Sequence, residues 1–137
     1  MKKGVKRGII AVVGVGAAIG LFFGGTMLVN TMRYRRIVDN IEISTPDLSR
    51  VADGTFNASF DAILVSADVS VTVESGVITE IVINDHHTGR DDARRAEVVI
   101  IDVVENQSLE VDTVSGATNS SLIILNAVQI ALESGMN

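Results

Sequence analysis

Hydrophobic and polar positions follow three rhythms along this chain. Residues 8–30, GIIAVVGVGAAIGLFFGGTMLVN, form one unbroken stretch without a charged side chain. From Asp53-Gly54 onward the period becomes two. Thr55 to Asp61 reads as a strand. Val65, Ala67, Val69, Val71 and Val73 then alternate with Ser66, Asp68, Ser70, Thr72 and Glu74, the pattern of a half-buried strand. Glu74-Ser75-Gly76 supplies a hairpin turn, with glycine to accept a positive φ. Val77 to Asn84 returns as a second strand carrying Ile78, Ile81 and Ile83. The period then shifts to helical. Ala93, Ala96, Val99, Ile100, Val103 and Val104 predict a helix over Asp91 to Asn106, with Asp91 and Asp92 as solvated charge at the positive end of its dipole. A short extended piece, Leu109 to Asp112, and a loop of small residues lead to a second helix over about Asn119 to Glu133. Strands followed by helices predict an α+β domain, with an antiparallel sheet packed on one face and two main helices.

The uncharged run has its own meaning. Its 23 residues would span roughly 34 Å as a helix, enough for the hydrocarbon core of a bilayer. It exceeds the usual signal-peptide core and lacks a convincing small-residue cleavage site, so an uncleaved anchor is expected. The predicted layout is a basic cytoplasmic tail (1–7), a transmembrane anchor (8–30), a linker (31–52) and a domain (53–137). Ser44-Thr45-Pro46-Asp47 in the linker reads as the cap of a short helical turn, with Pro46 at its first position. Gly16, Gly20 and Gly24 have the spacing of a helix-pairing face, but Gly8, Gly14 and Gly25 lie off it, and glycine is common in membrane helices.

Charge is segregated along the chain. Residues 1–38 hold seven basic and no acidic side chains, while residues 39–137 hold four basic and 17 acidic, 4 − 17 = −13. So acidic a domain repels nucleic-acid phosphates, which excludes DNA or RNA as the expected partner. Lys2, Lys3, Lys6 and Arg7 on one flank of the run outnumber Arg33, Arg35 and Arg36 on the other. The positive-inside rule then puts the N-terminus in the cytoplasm and the domain on the extracytoplasmic face of the cell membrane. With no cysteine in the chain, disulfides, thiolate zinc sites and Fe–S clusters are excluded.

The segment richest in candidate chemistry is Asp112-Thr113-Val114-Ser115-Gly116-Ala117-Thr118-Asn119-Ser120-Ser121. It joins an extended piece to a helix start, where unpaired N–H groups and the dipole favour an anion. Gly116 and Ala117 let a bulky group approach the backbone. Thr118, Ser120 and Ser121 put hydroxyls on the first turn, an arrangement suited to a phosphate. Serine, threonine and asparagine are equally the ordinary helix-capping residues, and composition alone favours that reading.

The same segment resembles the FMN-binding domain family, which includes the covalently flavinylated subunits of the Rnf and Nqr redox complexes and small membrane-tethered bacterial flavoproteins. Family members read Asp-x-x-Ser/Thr-Gly-Ala-Ser/Thr-x-Ser/Thr before a C-terminal helix. Here Asp112, Ser115, Gly116, Ala117, Thr118 and Ser120 match throughout. The likeness extends over about residues 53–134, through Asp53-Gly54-Thr55-Phe56, the Gly76 hairpin, His86-His87, Ala96-Glu97 and Gln107-Ser108 before a last strand. Phe56 departs from the tyrosine usual there. The resemblance implies FMN joined through its phosphate to the Thr118 hydroxyl by a dedicated flavin transferase. It also implies electron relay between a membrane redox donor and a downstream acceptor, as a carrier or complex subunit more than as a stand-alone enzyme. The alternative is a cofactor-free, membrane-anchored binding or assembly module.

His86 and His87 sit after a predicted strand in a polar loop. They read as plain loop residues or as lining for the flavin pocket. A metal site there lacks a convincing third ligand. Asp112 has two readings, an Asx-turn acceptor and a group that orients the Thr118 hydroxyl. Paired carboxylates, nucleophile–histidine pairs and nucleotide-binding glycine patterns supply no further catalytic candidate.

Overall fold

A computed structural model describes residues 2–137, with the side chains of Asp91 and Asp92 outside the described residues, so their expected helix-start role lies there too. The chain divides into two compact units, Met1–Arg33 and Tyr34–Asn137. Helix α1 (Lys2–Asp39) supplies all of the first that is described and runs on into the second. Its most apolar 18-residue window has a mean hydropathy of 2.1 and buries none of its residues. A 38-residue helix of that composition is long and apolar enough to cross a membrane.

The second unit is an α+β domain. Strands β1 (Gly54–Asp61), β2 (Val65–Glu74) and β3 (Val77–Thr88) form an antiparallel meander in the order β1-β2-β3. The Ser75-Gly76 hairpin has φ of 53° and 76° at its two residues, the double positive φ of a type I′ turn. On β2 the predicted alternation is complete: all five apolar positions from Val65 to Val73 are buried. The opposite face is polar and tied across strands, with Ser70 Oγ donating to Asn57 Oδ1 (2.6 Å) and Asn84 Nδ2 to Asp68 Oδ1 (2.9 Å). Helix α3 (Thr118–Ser134) packs across β1 and β2. It buries Ile123, Ile124, Leu125, Val128 and Leu132 against the valine face. Each such side chain taken out of water contributes about 1.5–3 kcal/mol before entropy is counted.

Strand β3 departs from a simple alternation. Asp68 pairs with Asp85 but Val69 pairs with Ile83; Thr72 pairs with Glu80 but Val73 with Ile78. Thr79 and Asn84 are therefore the extra residues of two β-bulges. Each bulge resets which side chains face inward. Strict alternation from Ile81 and Ile83 would turn Asp85 and His87 to the core. The bulge at Asn84 instead turns His86 inward and leaves His87 exposed. The strand reaches Thr88, so the histidines expected in a loop belong to a strand.

Three other local expectations change. The helix predicted over Asp91 to Asn106 is divided: a 3-10 segment (Asp91–Val98) passes into helix α2 (Val99–Asn106). Leu109 to Asp112, expected as a short extended piece, forms no strand among the described residues, and Leu109 lies in a bend. Leu109 is fully buried, and its N–H donates to Thr45 Oγ1 (2.9 Å). The short turn predicted near Pro46 is a 3-10 turn (Leu48–Arg50) capped by Asp47, with Pro46 just outside it. Asp47 accepts from the Ser49 hydroxyl and N–H, and these bonds, helped by Arg50, hold its carboxyl below the usual carboxylate range.

Two contacts close the domain. Gln107 sits at φ 52°, and its side chain accepts from Ile78 N–H (2.7 Å) and donates to Ile78 C=O (2.8 Å). It thus pairs with the outer edge of β3 as a strand would. At the C-terminus, Ala52 N–H donates to Gly135 C=O and Asn137 N–H to Arg50 C=O, around a Val51–Met136 bridge. A Cβ at Gly135 would lie 2.6 Å from the Phe56 ring.

Gly135→Ala should therefore destabilise the domain by about 1–3 kcal/mol through overpacking against Phe56. Gln107→Asn tolerates the left-handed backbone but no longer reaches Ile78, and should cost about 1–2 kcal/mol. Urea denaturation of the detergent-solubilised chain, followed by far-UV circular dichroism, measures both.

Candidate functional site

The loop entering α3 is shaped by one buried hydroxyl. Ser121 Oγ accepts from Val114 N–H (3.0 Å) and donates to Ala117 C=O (2.9 Å). Ala117 N–H closes a turn onto Val114 C=O (2.9 Å), and Ser121 N–H makes the first helical bond, to Ala117 C=O. Gly116 takes φ 79°, a conformation that residues with a Cβ adopt at a cost. Ala117 is the N-cap residue and offers no side-chain cap.

Thr118 is consequently the first helical residue and not the cap that composition suggested. The Ser121 hydroxyl ties the preceding loop to the first turn and caps none of the helix-start amides. Among the described residues, no side chain takes the N–H groups of Thr118, Asn119 and Ser120. No hydrogen bond to a described residue engages the exposed Thr118 hydroxyl. A reactive oxygen beside three outward amides is a composition that fits a phosphate diester.

A cleft of about 340 Å³ opens over this helix start. Gly116, Ala117, Thr118, Asn119 and Ser120 form one wall; Tyr34, Val65, Thr88, Arg90 and Ala93 complete it. Arg95 flanks the loop, its guanidinium 3.4 Å from where a Gly116 Cβ would sit. Three of the four arginines in residues 39–137, Arg90, Arg94 and Arg95, follow β3 closely in sequence, and of these Arg90 lines the cleft and Arg95 flanks the loop. Cations placed there offset the surrounding negative charge at an anion site.

Of the residues singled out in the sequence, Gly116, Ala117, Thr118 and Ser120 share this cleft. Ser121 is buried beneath it. Ser115 is exposed on the loop, outside the cleft lining. Asp112 is also exposed and lines a different groove, with Asp102, Asn106, Ser108, Glu110 and Val111. Among the described residues, no hydrogen bond reaches its carboxylate. His86 is buried, with Nδ1 3.0 Å from Glu97 Oε1 and Nε2 without a partner. His87 lies outside the Thr118 cleft but lines an adjoining one. No group of three potential metal ligands occurs among the described residues.

Tyr34, Val65, Thr88, Arg90, Ala93 and Asn119 were not singled out in the sequence. The concentration of arginines just after β3 in so acidic a domain was a usable signal for Arg90. Nothing comparable marks Tyr34 or Val65, which reach the cleft only through tertiary packing.

Comparison with known proteins bears directly on this cleft. The family model described as the FMN-binding domain matches residues 66–133, from the start of β2 almost to the end of α3. Among curated proteins and among solved structures, none matches the chain. The matched segment includes the Ser115-Gly116-Ala117-Thr118 loop and the strands and helices that shape it, so residues 66–133 match the FMN-binding domain family.

Proposed function

We propose that this chain is a membrane-anchored, extracytoplasmic electron carrier whose FMN is bonded through its phosphate to Thr118. The observation that carries the proposal is the Thr118 hydroxyl itself. It is exposed, engages no described residue and stands beside uncapped amides inside a matched FMN-binding domain. The long apolar helix α1 fits the anchoring half of the reading, and the excess of basic residues before residue 8 supports the orientation.

Attachment requires a flavin transferase and an activated flavin nucleotide. The Thr118 Oγ–P bond forms as the phosphate's bond to its leaving group breaks, and the hydroxyl proton passes to a base of the transferase. The residues of this chain present the acceptor. Ser121 fixes the loop, and the amides of Thr118, Asn119 and Ser120 would hold the phosphate oxygens. Arg90 adds positive charge at the cleft wall. The bound flavin supplies one- and two-electron chemistry, while Thr118 holds it in place and takes no part in turnover. A covalent tether retains the cofactor outside the cytoplasm, and the membrane anchor raises the local concentration of the carrier around membrane-bound partners.

Co-expression with a matching flavin transferase should add one FMN, less water, to the intact mass. Thr118→Ala should abolish the adduct and Thr118→Ser should retain it. A chain that stays unmodified and non-fluorescent in gels under those conditions would instead be a cofactor-free assembly module. Ser121→Ala leaves the acceptor hydroxyl in place but frees Val114 N–H. It should destabilise the domain by about 1–3 kcal/mol and lower the flavinylated fraction, read from the same mass spectra.

A further inference from the structure

The link between β1 and β2 is built unusually. Leu64 N–H donates to Ala62 C=O (2.9 Å), closing a three-residue turn centred on Ile63 at φ 76°. That is the sign of the strained γ-turn, and a β-branched residue is poorly suited to it. The turn is held from both sides. Asp61 Oδ1 accepts from Ile63 N–H (2.7 Å), and Ala62 N–H donates to Val65 C=O (2.9 Å). Ala62 and Val65 are buried, whereas Ile63 and Leu64 between them are 42% and 40% exposed. Backbone strain is thus maintained to present two large apolar side chains to solvent, an arrangement associated with functional surfaces.

Those side chains line a cleft of about 440 Å³ together with Tyr34, His87 and Gly89. This cleft adjoins the one over Thr118, and Tyr34, Val65, Thr88 and Arg90 line both. One end therefore offers amides, a hydroxyl and an arginine. The other offers isoleucine, leucine and the rings of tyrosine and histidine. A ligand matched to the whole surface has an anionic head and a flat, largely apolar body.

We propose that the Ile63–Leu64 turn, with Tyr34 and His87, forms the seat of the isoalloxazine ring, and that the turn's strain serves to hold this wall against it. The inference rests on FMN attachment at Thr118 and adds the residues that orient and shield the ring. It assigns His87, exposed by the bulge at Asn84, to the ring end of the site, and leaves His86 in the core.

The test uses the full-length, flavinylated chain in detergent. Intact mass first establishes attachment, so an unmodified wild-type protein would refute the Thr118 reading without bearing on the turn. In the adduct, iodide quenching of flavin fluorescence reports access to the ring. A ring with most of its surface covered should become about two-fold or more accessible in Leu64→Asn and Ile63→Asn. Ile63→Gly is the discriminating variant. It relieves the positive φ, so thermal unfolding should occur at or above the wild-type temperature, yet ring access should rise as in the other two. Equal quenching in wild type and all three adducts would overturn the proposal. So would a rise in quenching confined to variants with a lowered unfolding temperature, since that would follow from loosening of the fold and not from loss of the wall.

Discussion

The Ser121 hydroxyl is the contact on which the site depends. It makes two bonds in the interior, accepting from Val114 N–H and donating to Ala117 C=O. A buried hydroxyl with both roles filled fixes its neighbours more tightly than an apolar side chain of equal size, because leaving either partner unpaired is costly. The loop of residues 114–117 is thereby folded back onto the first turn of α3. Because this hydroxyl accepts from a loop amide and not from the helix start, it leaves the outward amides uncommitted. A serine or threonine at the usual N-cap position would occupy one of those amides. Ala117 at that position, with no side-chain cap, keeps the helix start available to a ligand.

The rest of the domain holds this helix start still. Helix α3 buries nine residues over its length, and its far end is locked where the C-terminal segment pairs with residues 50–52. The valine face of β2 supplies the surface on which α3 rests. The segment after β3 brings Arg90 and Ala93 to the cleft from the other side. The cleft over Thr118 thus stands mostly on regular elements, with Arg90, Gly116 and Ala117 outside them.

Features governed by local periodicity were readable in advance. The rhythm of four valines and Ala67 on β2, the Ser75-Gly76 turn and helix α3 all follow from side-chain spacing and glycine placement. Features that depend on partners were not. Nothing in the run Ile81 to His87 marks Asn84 as a bulge, because the extra residue is defined only against β2. That one residue decides which histidine is buried. Leu109 to Asp112 has the composition of a strand, but Gln107 already occupies the edge of β3 at Ile78, and Leu109 turns its N–H to Thr45 instead. Ile63 at positive φ runs against local preference and is invisible to any reading based on propensity. Of the cleft lining, Gly116, Ala117, Thr118 and Ser120 were singled out by the sequence, whereas Tyr34, Val65 and Thr88 arrive from distant parts of the chain.

Gln107 also bears on how copies of this chain meet one another. A three-stranded sheet has two open sides, and an unpaired edge invites pairing with a neighbour. On β3 that invitation is withdrawn by several means. The Gln107 amide takes both backbone groups of Ile78, the bulges at Thr79 and Asn84 break the flat register, and Glu80 and Asp85 add repulsion. Helix α1 is long and apolar enough to cross a membrane, and copies so held would meet in one orientation. An edge engaged at Ile78 by a side-chain amide and bulged at Thr79 and Asn84 is a poorer template for pairing with a second copy.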